Sequence, residues 1–548
     1  MDTLIFGQSL SKTKIFFYFC LILSGGFIFR YIFFPHDIPL ALDSLVYFWY
    51  GIDMSVTGNF PVAGATDNVN PLGTNNLWPT FLSLFFSMLD SNNYLDFMFM
   101  QRNLSIFFSV MTAIPIYFLA KRFFRREIAL IAPLFFIFEP RIVENSMLGI
   151  TEPMFVFFVV STLALFFSDQ KKLILSSFVL AGIFCLVRYE GLMILIPMVI
   201  IMFFRFKSKK NRLIYPIIGL CIFLLVITPM SIVKIETMGY DGIFSHVGSG
   251  IEVATQNNFL NQDVDEQKFF PYVGLINLLK LFGWILIPSF FTFLPIGIFF
   301  LFKNRENKKI ELIIIGLFAL IPAFYAFSRG AYDVRYLFVI YPVLIIISLF
   351  AIEFVSKKIE RKNLFYLIII VGIIITSFVF LSYKDDNEHQ REAYQIALET
   401  KDLFTTINEH HPEDAYYRIV IINDLEKFPY PFKDNSVDEI FIHDTLTKKH
   451  LVGLYLAGDK DKEKFRETYD RQISTISGDH LGINIRNIGD TIKEKEKILI
   501  QISHCVSLTG KQCKRKELIQ KAIDSSSKKI TDTDVNSIQQ HGFLNPDS

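Results

Sequence analysis

The chain has 548 residues, 52% of them hydrophobic, with 60 phenylalanines and a mean hydropathy of +0.39. That is too apolar for a water-soluble globular protein of ordinary composition. The net charge of +1 offers no basic excess to a nucleic acid, so the composition points to a polytopic protein whose first partner is the lipid bilayer.

A helix crosses the hydrocarbon layer with about 20 apolar residues. Ile15 to Phe34 meet this length, and the RYIFFPHD that closes the run has no small-residue cleavage site, so a retained first helix is expected. Further spans are predicted at 103–120, 127–138, 153–168, 173–187, 191–204, 213–230, 281–302, 312–327, 336–355 and 364–382. The short 127–138 segment is settled by charge. If it crosses, KRFFRR, QKK, RFKSKKNR, KNRENKK and SKKIERK all fall on one side, which the positive-inside rule makes cytoplasmic. The loops 35–77, 139–152, 188–190, 231–272 and 328–335 then face outward.

In the first outer loop, LALDSLVYFWYGIDM carries Asp43 and Asp53 at the start of an amphipathic stretch, and the apolar run after Trp78 is too short to span with ease. Interfacial helices are expected for both. From Tyr383 the composition turns polar. NEHQREAYQIALETKDLFTTINEH has helical spacing, YYRIVIIND reads as a strand and KEKILIQISHC as another, so a small α/β domain over 383–548 is expected outside the membrane. The expected fold class is therefore mainly α: a helical bundle of about eleven spans over 1–382, then that domain. Cys20, Cys185 and Cys221 sit in apolar runs as packing residues, whereas a disulfide between Cys505 and Cys513 stays open.

The predicted spans carry no ionisable residue deep at their centres, unlike the relays of ion-coupled transporters, and no internal repeat marks two halves. Polar chemistry gathers instead at outward span ends. Glu139, Arg141, Glu144 and Glu152 lie in the second outer loop, Arg188 and Glu190 in the third, Lys280 and His246 in or beside the fourth, and Arg329, Asp333 and Arg335 in the fifth. Guanidinium groups at this depth match phosphate oxygens in a bidentate manner, although lipid anchoring or pairing with Glu190 or Asp333 would also place them there. Asp43 and Glu152 equally suit helix starts, Lys280 equally snorkels, and His246 equally faces water.

In this order and sidedness, LALDSLVY, the Pro-containing interfacial segment, IYFLAKRFFRRE, RIVENSMLGITEPMFVFF and RYLFVIYPVL resemble the GT-C superfamily of membrane glycosyltransferases over about residues 14–355, particularly the protein O-mannosyltransferase and aminoarabinose transferase branch. The resemblance implies a polyprenyl-phosphate-linked sugar as donor, an unidentified protein, lipid or glycan acceptor, and a site at the outer face. The branch often has Asp-Glu where this chain has Asp43-Ser44, and its later Arg and acidic residue look like Arg141 and Glu152. The implied roles are Asp43 as catalytic base, with Arg141, Glu144, Glu152, Arg188, Lys280, Arg329 and Arg335 binding substrate. No resident cofactor or metal ligand is assigned, while carboxylate and phosphate oxygens together would suit a divalent metal. An oligosaccharyltransferase is the near alternative. Its tail normally carries a Trp-Trp-Asp signature, yet the tryptophans here are Trp49, Trp78 and Trp284, all ahead of the tail. A polyprenyl-lipid or polysaccharide transporter is the other alternative.

Overall fold

The computed structural model describes residues 11–40, 43–58, 77–91, 94–206, 208–255, 270–303, 306–384, 481–487 and 498–504. The chain divides into two compact units, one comprising Met1–Phe34, Gly73–Trp78 and Arg102–Asp385, the other Pro35–Leu72, Pro79–Gln101 and Asp386–Ser548.

Helix α1 (Lys12–Ile32) starts at Ser11, whose hydroxyl accepts from the Lys14 amide. Two shorter helices follow, α2 (Asp43–Thr57) and α3 (Leu77–Phe86), where the interfacial segments are expected. α4 (Tyr94–Met111) runs on into α5 (Ala113–Ala120), and α6 (Arg126–Ala129) into α7 (Ile131–Ile137). α8 (Pro140–Ser146) and α9 (Glu152–Phe166) each hold a proline in the first turn, where its missing N–H forfeits no helical bond. α10 (Lys171–Val187) joins α11 (Leu192–Arg205) through a 3-10 turn, Tyr189–Gly191. α12 (Lys209–Met238), α13 (Phe244–Thr255), α14 (Pro271–Ile285), α15 (Phe293–Lys303), α16 (Asn307–Ala319) and α17 (Ile321–Ser328) come next. A 3-10 stretch, Val334–Ile340, leads into α18 (Tyr341–Lys358), and α19 (Lys362–Lys384) follows. In the tail, β1 (Leu481–Asn487) pairs antiparallel with β2 (Ile498–His504), which coincides with the strand expected in KEKILIQISHC. The rest of the expected tail domain, Cys505 and Cys513 included, lies outside the described residues.

Among the described residues, six helices are long and apolar enough to cross a membrane: Thr13–Ile32, Leu95–Ala120, Lys209–Glu236, Asn307–Ser328, Val334–Lys358 and Lys362–Tyr383. Burial ranks them: the apolar window ending in α18 is 78% buried, those in α1 and α12 only 22%. Exposed Phe16, Phe17 and Leu21 on α1, Leu225 on α12, and Leu367, Ile368 and Ile375 on α19 form apolar faces that lipid satisfies and water does not. The chain is a multi-pass membrane protein. The other predicted spans are also helical but shorter, with 15, 17 and 14 residues in α9, α10 and α11.

The 281–302 span is corrected. It is not one helix but α14 and α15 separated at 286–292, where Pro288 lacks the N–H that would continue the ladder. The freed Ile287 carbonyl accepts from the Arg141 guanidinium, so the break is satisfied within the protein.

Within the first unit, α18 packs against α15 and α7, and α10 against α9 and α12. A Cβ on Gly297 would lie 2.1 Å from the Ile347 carbonyl oxygen, so only glycine lets α15 approach α18 this closely. The basic clusters gather at one end. Arg122 donates to the Ala164 carbonyl at 3.1 Å, Arg205 pairs with Glu311, Lys308 with Asp169 at 2.9 Å, and Lys309 lies 4.8 Å from the Phe350 ring centre. This common end is what alternate crossing requires.

Burial also reveals an ion that periodicity does not single out. Arg30, in the last turn of α1, is fully buried. Its Nε donates to Ser146 Oγ at 2.9 Å, Nη1 to the Gly26 and Ile137 carbonyls at 3.1 Å each, and Nη2 to Ser109 Oγ at 2.8 Å, tying α1, α4, α7 and α8. Removing it with Arg30→Met strands several buried acceptors at about 1–3 kcal/mol each. Thermal unfolding in detergent is expected to show a loss of at least about 3 kcal/mol, with Arg30→Lys recovering only part because it lacks the planar fork. Unchanged stability in both variants would contradict this.

In the second unit, α2 packs on α3 and the first turns of α4. The Phe48 and Phe86 rings lie 5.8 Å apart, Phe86 and Phe97 5.6 Å, and Gln101 Nε2 donates to the Ser44 carbonyl at 2.9 Å.

Candidate functional site

At the start of α9 and around the turn between α10 and α11, local rules bring charges together. Glu152 occupies the first turn of α9, where a carboxylate complements the helix dipole. Arg188 ends α10 in extended geometry (φ −146°, ψ 123°), which turns its guanidinium back toward the start of α9. Its Nη1 pairs with Glu152, while Nη2 reaches Glu190 Oε1 at 2.8 Å. Arg335 enters from the 3-10 stretch that Asp333 caps: the Arg335 amide donates to Asp333 Oδ1 at 2.9 Å and Nε to Oδ2 at 2.6 Å. Its Nη1 stands 3.9 Å from Glu152 Oε1. The Arg188 guanidinium carbon also lies 5.8 Å from the Tyr336 ring centre and 6.0 Å from that of Phe155.

These side chains help line a half-open cleft. The rest of its lining is largely apolar, with Phe155, Val156, Ile194, Ala319, Pro322 and Phe338. A cleft with two arginines beside an apolar wall can hold an amphiphile whose anionic head meets the guanidinium groups and whose tail meets the hydrocarbon side.

The other sequence-predicted residues are not among those that line this cleft. Arg141 is buried at 3% exposure, pairs with Glu139 Oε1 at 3.3 Å, and sits between the Trp284 and Phe380 rings at 5.2 and 4.9 Å. Glu139 additionally accepts from Ser289 Oγ at 2.6 Å and from the Tyr341 hydroxyl at 3.2 Å. This cluster ties α8 to the α14–α15 break and to α18. Glu144 is half-buried on α8, Lys280 is exposed on α14 and makes no ion pair among the described residues, and Arg329 is exposed, its Nη1 3.3 Å from the Tyr325 hydroxyl. Asp43 is exposed in the first turn of α2 and belongs to the second unit. His246 is not simply solvated: its ring meets Tyr189 edge-on at 4.9 Å, and burial followed by the charge of Lys234 lowers its pKa. Glu190 and Tyr336 line the cleft although sequence reasoning assigned them no substrate role; their proximity to Arg188 and Arg335 in RYEG and VRY was the available signal.

Among the described residues, no group of three or more His, Cys, Asp or Glu side chains forms a metal-holding set. In the cleft, Glu152 and Glu190 both direct oxygens at Arg188. That donor set does not fit a divalent cation, and no step is derived through one.

The chain shares the GT-C fold with solved structures to which it is similar. The family model described as dolichyl-phosphate-mannose-protein mannosyltransferase matches residues 80–232. Among solved structures, the Archaeoglobus fulgidus oligosaccharyltransferase in the apo form is similar with a TM-score of 0.55 and 14% identity, over 79% of this chain and 64% of that one. The same enzyme in complex with Zn and sulfate gives 0.50 and 15%, over 75% and 58%. The chain thus spans less than two thirds of the length of these relatives. ArnT from Cupriavidus metallidurans bound to undecaprenyl phosphate gives a TM-score of 0.45 and 12% identity, over 83% and 80%. No curated protein matches the chain.

Burial pushes the Glu139 carboxyl up to about 7, against the opposing pull of Ser289, Arg141 and Tyr341. An unfolded glutamate titrates near about 4.3, so the folded state binds the proton more tightly. The stabilising contribution is full below about 4.3 and is lost as pH rises through about 7. Melting temperature in detergent is expected to fall across this window in the parent and to be flatter in Glu139→Gln. Equal slopes would contradict the assignment.

Proposed function

We propose that this protein is a membrane glycosyltransferase that moves a sugar from a polyprenyl-phosphate donor to a hydroxyl acceptor at the outer membrane face. The observation that carries this reading is the cleft in which Arg188 and Arg335 stand beside an apolar lining at the start of α9 and the end of α10. The GT-C fold and the matched mannosyltransferase model support it.

The reaction is a single inverting displacement. The acceptor oxygen bonds to the anomeric carbon as the bond from that carbon to the phosphate oxygen breaks, and the acceptor proton passes to a base. Asp43 is the base of this proposal, a role worth about 10²- to 10⁴-fold in rate. The leaving polyprenyl phosphate departs as an anion, so it needs positive charge instead of a general acid. Arg335 and Arg188 supply that charge, and a low-dielectric boundary makes fixed charge more effective than in water. Glu152 holds Arg188 in place. Lys280 and Arg329 meet lipid phosphate nearer the surface, Glu144 orients the sugar, and Arg141 braces the α14–α15 break behind the site. The membrane module of this proposal is 1–382, and 383–548 is an extracytoplasmic domain.

The likeness to the archaeal oligosaccharyltransferase favours one second reading, transfer to an amide acceptor. Hydroxyl and asparagine peptides offered side by side distinguish the two.

The test is transfer of radiolabelled sugar from a short-chain polyprenyl-phosphate donor in membranes, at equal protein abundance. Asp43→Asn is expected to lower transfer by about 10²-fold or more while donor binding persists. Arg335→Gln is expected to weaken both binding and transfer. Undiminished transfer by Asp43→Asn would remove Asp43 as the base.

A further inference from the structure

Glu190 holds an unusual place in the cleft. Its Oε1 is tied to Arg188 Nη2 at 2.8 Å, while Oε2 is buried and has no hydrogen-bond partner among the described residues. An ionised carboxylate only accepts, and burying an oxygen without a donor costs about 1–3 kcal/mol. Other carboxylates here are better served: Asp333 accepts from the Arg335 amide and Nε, and both oxygens of Glu139 are engaged. Glu190 lines the same cleft as both arginines, and its first oxygen fixes the carboxylate plane against Arg188.

Charge fixes the chemistry of the missing group. Among the described residues, Glu152, Glu190 and Asp333 outnumber Arg188 and Arg335 in this cluster of ion pairs, so a bare phosphate meets acidic neighbours as well as its guanidinium partners. A ligand that also brings a hydrogen-bond donor close to its phosphate satisfies the orphan oxygen and offsets that repulsion. A sugar on a phosphate carries such donors, its ring hydroxyls, within a few bonds of the phosphorus.

We infer that Glu190 reads the sugar: Oε2 accepts a hydrogen bond from a ring hydroxyl of the donor, while Oε1 keeps Arg188 in position. This rests on the proposed function and extends it, because it makes Glu190 a specificity-determining residue that favours the loaded lipid over the spent polyprenyl phosphate. Such discrimination also assists turnover, since the product lacks the hydroxyls that Glu190 holds.

The experiment measures binding to the full chain in detergent of a short-chain polyprenyl phosphate and of its mannosyl and glucosyl esters, for the parent and for Glu190→Gln and Glu190→Ala. The parent is expected to bind at least one ester about 10-fold more tightly than the bare phosphate, as loss of a buried hydrogen bond to a charged group would predict. Both variants should lose more affinity for the preferred ester than for the bare phosphate, so that the preference disappears. Equal losses for bare and sugar-bearing lipids would overturn the inference, because Glu190 would then act only by holding Arg188. A parent that prefers neither ester would overturn it while leaving the proposed function standing. A parent that binds none of the lipids would overturn both. Unaltered melting temperatures keep these outcomes separate from misfolding.

Discussion

A guanidinium shared by two carboxylates where the ends of three helices meet is the interaction on which the site depends. Arg188 leaves α10 in extended geometry, and the pairs it makes with Glu152 and Glu190 bind the start of α9 to the turn before α11. Beside a membrane, an ion in this position cannot rely on water, so its partners must be built in. The geometry of the cleft follows from that requirement. Arg335, held by Asp333 and facing Glu152, completes the polar wall.

The same constraint recurs twice, with another result. Arg30 is fully enclosed by serine hydroxyls and carbonyls, and Arg141 lies between two aromatic rings beside Glu139. Both act as braces. Arg30 joins the helices that enclose the second outer loop, and Arg141 caps the carbonyl freed at the α14–α15 break. The difference lies in what surrounds them: Arg188 and Arg335 border open space, whereas these two border packed protein.

Much of this was legible from residue order. Alternation of basic loops foretold the common end where Arg122, Asp169, Arg205 and Lys308 gather, because lipid forces each apolar run to cross and each crossing reverses the side. Glu152, Arg188 and Arg335 converge for the same reason, since each abuts a span end on the outward side. Burial was not legible. RIVENS gives no sign that Arg141 turns inward while the arginine of RYEG lines a cleft, because that depends on which helix lies opposite. Hydropathy also ran unbroken through 281–302, where Pro288 and Pro295 were the marks of the break and of the new helix start.

The cleft lined by α9, α11, α17 and the 3-10 stretch Val334–Ile340 is the proposed seat of a polyprenyl phosphate. The most direct test is photolabelling of the purified protein with a short-chain polyprenyl phosphate that carries a photoreactive group on its first isoprene unit, followed by mapping of the labelled residues. The account predicts label on Phe155, Val156, Ile194, Pro322 or Phe338, suppressed by excess unlabelled lipid. Label confined to the lipid-facing residues of α1, α12 and α19, or insensitive to competition, would contradict it.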